Sequence, residues 1–390
     1  MERRWQRHCW PRQLPLFFLL ILLFLATLVS ADCECGYSSS IGGSNTHLRA
    51  VFTDLIESDF SADGYDINTD TDWVRQAFNL TNEKARGAYG EMFAVENVVV
   101  MKPPTISDRK DGDDGQTEWQ GSSSSEGLSL MVRTELVEGM VPVAEVDTRR
   151  LDMHWGTFRA SIKMTGERGT CAAFFWYFND TQEIDMEFLS KEFNRSNSSY
   201  PVNLVLQSRE AMQAGFDAHG TKNFVKAYLP FDPTSDYHEY RIDYLPNRVY
   251  FFADGIPLAE MDGPAVPTSA GHLILQHWSN GNKLWSGGPP AKDSALMVKY
   301  VKAYFNSSTI QRQQDWQNRC KNPLAHRAVC NIPDVTPTNY SAARWFFRDQ
   351  ENMTNNQTLS GESEGSRLER VWCMTFYALL FVTGWAFALW

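Results

Sequence analysis

The sequence has little that would suit nucleotide or nucleic-acid chemistry. Its 390 residues carry 36 Lys and Arg against 47 Asp and Glu, a net charge of -11, so there is no basic footprint for DNA or RNA. No glycine-rich phosphate loop is present, which removes kinases and dinucleotide-dependent dehydrogenases. The histidines are scattered without ligand spacing, and charged residues make up only 21% of the chain against 43% hydrophobic ones. That balance excludes a disordered protein and leaves enough apolar material for a core. Stretches of helical period are few. What the chain has in quantity is aromatic residues, with 24 Phe, 14 Tyr and 13 Trp, suited to a β-rich core or to stacking against sugars.

Long apolar runs occur only at the two ends. Arg3, Arg4, Arg7 and Arg12 precede the run Leu14 to Val29, which closes on Val29-Ser30-Ala31. This reads as a secretory signal peptide over 1–31. Residues 371–390 are apolar to the last position, behind the small, polar segment Ser360 to Ser366. They read as a glycosylphosphatidylinositol signal, with a single transmembrane helix as the alternative. Eight Asn-x-Ser/Thr sequons (Asn79, Asn179, Asn194, Asn197, Asn306, Asn339, Asn352 and Asn356) agree with a secreted glycoprotein.

Cysteine usage fits the same compartment. With Cys9 in the leader and Cys373 in the tail, Cys33, Cys35, Cys171, Cys320 and Cys330 remain. Cys33 and Cys35 at one end and Cys320 and Cys330 at the other are candidates for two disulfides stapling the termini, in a pairing left open. Cys171, inside an apolar run, is expected to be a buried thiol. A zinc site would need a second close Cys pair or a spaced His pair, and neither is present.

Between Arg49 and Phe305 short runs rich in Val, Ile, Phe, Tyr and Thr alternate with turn residues, an all-β pattern. The clearest strands are 155–163, 171–178, 183–189, 202–207, 237–244, 249–253, 256–261 and 296–305. Asp254-Gly255 and Pro246-Asn247 mark hairpin turns. About a dozen strands are expected, in one large sandwich. Ser107 to Gly127 reads as a long loop. Its run Asp111 to Gly115 has a calcium-loop look, but the twelfth position is Ser122 and flanking helices are missing. The resulting division is a leader 1–31, a sandwich 32–308, a disulfide-stapled extension 309–350, a glycosylated stalk 351–370 and the tail 371–390.

One segment carries chemistry, Glu183-Ile184-Asp185-Met186-Glu187-Phe188-Leu189. At a period of two, Glu183, Asp185 and Glu187 share one face while Ile184, Met186 and Phe188 point into the core. Neighbours on a face are roughly 6.6 Å apart, so three negative charges repel and at least one pKa must rise. A protonated carboxyl beside an ionised one is the pairing that glycoside hydrolysis uses. The same pattern also suits an acidic, solvent-facing strand without chemistry.

The acidic strand resembles the signature strand of glycoside hydrolase family 16. The likeness extends to the run Trp155 to Lys163, to Phe174 to Tyr177, and to the downstream runs Phe231 to His238, Tyr240 to Tyr244 and Val249 to Gly255. Its regular alternation is similar to the lichenase, xyloglucan and fungal cell-surface crosslinking members rather than to laminarinases with an inserted residue. The resemblance implies an all-β, concanavalin A-like jelly-roll sandwich with a concave glycan cleft. It implies a retaining mechanism with Glu183 as nucleophile, Asp185 as electrostatic helper and Glu187 as acid/base. It further implies substrate contacts from Phe175, Tyr177, Asn203, Trp278 and Trp285, the two tryptophans in a loop that grips substrate. Thr181-Gln182 departs from the family pattern before the motif. No cofactor is implied, although a structural calcium on the convex face would fit.

The function expected is a secreted, cell-surface glycosidase anchored by its tail, cleaving β-1,3 or mixed β-1,3/1,4 glucan of a cell wall. A transglycosylase linking glucan or chitin chains and a non-catalytic, lectin-like glycan binder remain as alternatives. The expected partners are β-glucan or a related wall polysaccharide and a membrane, with no nucleic acid, and the chain is expected to be a monomer.

Overall fold

A computed structural model describes residues 32–42, 48–102, 126–216, 218–351 and 353. The leader, the run Asp111 to Gly115, the sequons at Asn352 and Asn356, and the apolar tail lie outside the described residues. Among the described residues no helix is long and apolar enough to cross a membrane.

The alternating segments form two large sheets. One runs in the order Phe224–Tyr228, Pro201–Gln207, Gln182–Leu189, Cys171–Asn179, His272–Trp278, Met140–Thr148, Gly90–Phe93 and Phe78–Leu80. The other runs Ile256–Asp262, Arg248–Ala253, His238–Leu245, Met153–Lys163, Ser294–Ser307, Gly127–Val132 and Val98–Met101, with Asp54–Asp59 also paired to Ser294–Ser307. Pairing is antiparallel except between Gly90–Phe93 and Met140–Thr148. The molecule is a jelly-roll β-sandwich, as the resemblance implied.

Alternation decides what fills the space between the sheets. Phe174, Trp176, Ile184, Met186 and Phe188 from one sheet meet Phe158, Ile162, Tyr240, Tyr244 and Phe251 from the other, all essentially without solvent contact. Phe188 meets Tyr240 edge-on at 4.7 Å, and Trp176 lies 4.8 Å from Tyr244. The hairpin at Asp254-Gly255 places both residues at positive φ, 47° and 73°, the backbone that a two-residue turn between strands requires.

All eight strands read from the sequence are present, with ends shifted by up to two residues. The strand total is higher than expected, because His272–Trp278, Met140–Thr148 and several three- to six-residue strands are present as well.

The outward face of the second sheet is covered by both ends of the described chain. Gly36–Ser40 pairs with Arg49–Phe52 and, in parallel, with Val329–Asn331. Disulfides join Cys33 to Cys330 and Cys35 to Cys320. Beneath this cover lies a buried polar layer. Arg159, 1% exposed, reaches Asp334 at 2.8 Å and Ser39 at 3.0 Å. Arg241 bonds Asp243 at 2.6 Å and the same Asp334 at 3.1 Å. Beyond the helix Ile310–Arg319, the extension thus returns to pack on the sandwich. Among the described residues no group of three or more His, Cys, Asp or Glu side chains could hold a metal ion.

Candidate active site

The acidic strand Gln182–Leu189 lies inside the first sheet, between Cys171–Asn179 and Pro201–Gln207. Glu183, Asp185 and Glu187 all line a cavity of about 910 Å³ on the outward face of that sheet. Their neighbours across the strand pair are Tyr177, Phe175 and Ala173 in turn. The small Ala173 opposite Glu187 leaves the floor open there, while the two rings wall the Glu183 end.

The three carboxyls have different surroundings. Asp185 is 4% exposed and lies between the other two, which keep part of their surface open to the cleft. Burial pushes the Asp185 carboxyl far above the usual range, and the charge of Glu183 beside it adds to the effect. Asp185 therefore holds a proton and shares it with Glu183 in a hydrogen bond. Glu183 is itself raised by burial, but that bond favours its ionised form. Glu187 is pushed up to about 7, first by burial, with the indole of Trp285 pulling the other way and the charge of Glu183 reinforcing the rise. Trp285 Nε1 donates to Glu187 Oε1 at 3.2 Å, and the Cys171 thiol lies 3.8 Å from the same oxygen. The site thus holds Glu183 and Asp185 sharing a hydrogen bond that favours the ionised form of Glu183 and, two residues beyond Asp185, a carboxyl pushed up to about 7.

Phe175 and Tyr177 line the cleft, and the Tyr177 hydroxyl donates to Asp180 at 2.8 Å. Trp278 also lines it, but as the last residue of the strand His272–Trp278 and not in a loop, which corrects the expectation. Trp285 does sit in the following loop, where its indole reaches Glu187 and it lines a second, adjoining cavity of about 500 Å³. Asn203 differs from the expectation. It lies directly opposite Glu187 on the neighbouring strand, but it is 2% exposed and is not part of the cavity wall. Its Oδ1 finds no partner among the described residues. Cys171 is buried and unpaired, as expected. Gln182, the departure from the family pattern, points away from the carboxylates, and its Oε1 accepts the amides of Thr268 and Ser269 at 2.9 and 3.1 Å.

The sequence reading missed a second acidic row. Glu145 and Asp147, on Met140–Thr148, and Glu91, on Gly90–Phe93, line the same cleft. Burial raises all three, Glu91 to about 8, and Gln276 donates to Glu145. The run Ala144-Glu145-Val146-Asp147 shows the same alternation as Glu183 to Glu187, with Ala144 and Val146 in the core, so the parity signal was there. Arg86, which also lines the cleft, had no local signal.

Residues 114–302 match the model of the glycosyl hydrolases family 16. A β-glucanase of Bacillus licheniformis is 26% identical over 158 residues, covering 38% of this chain and 58% of its own. A probable xyloglucan endotransglucosylase/hydrolase of Arabidopsis thaliana is 28% identical over 167 residues, covering 41% and 46%. The chain thus spans about half the length of the curated relatives it matches. Among solved structures, a lichenase from a mouse hindgut metagenome superposes with a TM-score of 0.45 at 18% identity, over 64% of this chain and 99% of its own. Over residues 114–302 this chain belongs to the glycosyl hydrolases family 16.

Proposed function

We propose that the chain is a retaining, endo-acting hydrolase of β-1,3 or mixed β-1,3/1,4 glucan, with Glu183 as nucleophile, Asp185 as its proton-bearing helper and Glu187 as acid/base. The observation that carries this reading is the division of protonation along one strand: Asp185 favours an ionised Glu183, while Glu187 sits at about 7.

In the first step the Glu187 proton passes to the glycosidic oxygen as the Glu183 carboxylate attacks the anomeric carbon. The glycosidic C–O bond breaks and a glycosyl ester forms on Glu183. Glu187, now ionised, takes a proton from water, whose oxygen displaces Glu183 and returns the sugar with its original configuration. Phe175, Tyr177 and Trp278 offer apolar ring faces on which sugars can stack.

A second reading, transglycosylation, is favoured by one feature: Glu187 borders both cavities, so a sugar hydroxyl held beside Trp285 would reach the position that water otherwise takes. Both readings share the ester intermediate. Product analysis on a panel of β-glucans, with and without an added oligosaccharide acceptor, separates them. Longer transfer products only with acceptor favour the second, and binding without turnover would replace both with a lectin. The sequence of the tail supports a cell-surface setting, which release from membranes by a phosphatidylinositol-specific phospholipase would test.

A further inference from the structure

Two side chains from opposite ends of the catalytic sheet meet above the cleft. Arg86 follows the short helix Asn82–Ala85, in the connection between Phe78–Leu80 and Gly90–Phe93. Phe216 follows the helix Arg209–Gln213, just after the strand Pro201–Gln207. Four strands, the acidic one among them, separate those two regions in the sheet. Yet the guanidinium carbon of Arg86 lies 4.3 Å from the centre of the Phe216 ring. Connections so far apart in strand order can touch only by passing over the face of the sheet. Both residues line the cavity of Glu183 and Glu187, and both line the adjoining cavity of Trp285. The contact therefore stands where the two chambers meet, beside Glu187.

The two halves of the contact are built differently. On the Arg86 side the backbone is tied down, with Asn280 Nδ2 donating to Ala85 O at 2.6 Å and Asn282 Nδ2 to Arg86 O at 3.2 Å. Gly87 permits this approach, since a Cβ there would fall 2.2 Å from Asn280 O. On the other side Phe216 has φ 67°, an unfavourable conformation for a bulky residue. Its amide donates to Ala211 O at 2.7 Å.

We infer that Arg86 and Phe216 form a strap across the catalytic cleft that sets its preference between short glycans and the interior of long chains. This rests on the glycan-cleaving reading above. A short oligosaccharide can enter a chamber by its end. An internal stretch of a polymer must be laid in from above, which requires the cation–π contact to open first. Only the fraction of molecules with the strap open then accepts a polymer, and its apparent affinity falls by that fraction.

The test compares kcat/KM on a soluble mixed-linkage β-glucan with kcat/KM on an aryl tetrasaccharide of the same linkage, for the parent, Phe216→Gly and Arg86→Gln. The glycine variant also relieves the unfavourable φ, and thermal melting checks the folding of each variant. The polymer-to-tetrasaccharide ratio should rise roughly three- to thirty-fold in both variants, the range set by the strength of a cation–π contact. Because both substrates use the same carboxylates, the ratio cancels any effect of Arg86 on their charge. An unchanged or lower ratio in folded variants of an active parent overturns the strap alone. A parent that neither cleaves nor binds any β-glucan overturns the functional reading and the strap with it.

Discussion

Trp285 Nε1 donates to Glu187 Oε1 across 98 residues of chain, and the Cys171 thiol approaches that same oxygen. With both donors on Oε1, the proton of the neutral carboxyl is left to Oε2. The indole also favours the ionised form of Glu187 and so limits how far burial raises it.

Trp285→Phe should therefore raise the Glu187 pKa. A hydrogen bond to a charged group contributes about 1.5–3 kcal/mol, so the alkaline limb of kcat/KM should move up by roughly one pH unit or more. The step in which Glu187 acts as base should slow. A pH profile that falls in height without moving would mean that Trp285 only contacts substrate.

Stability should fall as the pH rises. Glu187 and Glu91, raised from about 4.5 to about 7 and about 8, bind more protons folded than unfolded. Their stabilising contribution is complete below about pH 4.5 and is lost as the pH passes through 7 to 8. For Glu187 it amounts to at most about 3 kcal/mol, reduced by cleft water. Thermal melts between pH 5 and pH 8.5 should show a declining Tm, and Glu91→Gln should flatten the decline. A Tm that climbs over this window would contradict the burial of these carboxyls.

The roles of the two glutamates separate stereochemically. Glu183→Ala should lose turnover, and azide should restore a product of inverted configuration. Glu187→Ala should still react with an activated aryl glycoside, and azide should then give retained configuration. Asp185→Asn should lower the rate and alter neither outcome. Wild-type rates in all three variants would reduce the acidic strand to a solvated face.

Peptide mapping without reduction should recover Cys33 linked to Cys330 and Cys35 to Cys320. Cys171, buried and with its thiol pKa raised by that burial, should react with alkylating reagent only after unfolding. Replacing Cys35 and Cys320 together with Ser should cost about 2–4 kcal/mol. Any Cys171 disulfide would overturn this arrangement.

Local alternation explains why so much of the acidic strand was legible in advance. Glu183, Asp185 and Glu187 are covalent near-neighbours, and a period of two puts them on one face whatever the rest of the chain does. The same parity separated Phe175 and Tyr177 from Phe174 and Trp176, and would have found Glu145 and Asp147 had it been applied to their strand. Asn203 shows its limit. The resemblance implied a substrate contact, and the register does set Asn203 opposite Glu187, but it is buried, and alternation does not report what covers a face.

Composition and short-range pattern were thus enough for an all-β chain with three carboxylates in a row, because pleat and side-chain direction depend on adjacent peptide units. The order of strands in the sheet is set by contacts between residues far apart in sequence, and from that order came the pairing of Cys33 with Cys330, the reach of Trp285 to Glu187, and the meeting of Arg86 with Phe216. The different causes that raise the three carboxyl pKa values have the same origin, since desolvation and partner hydrogen bonds depend on which distant segments close over each one.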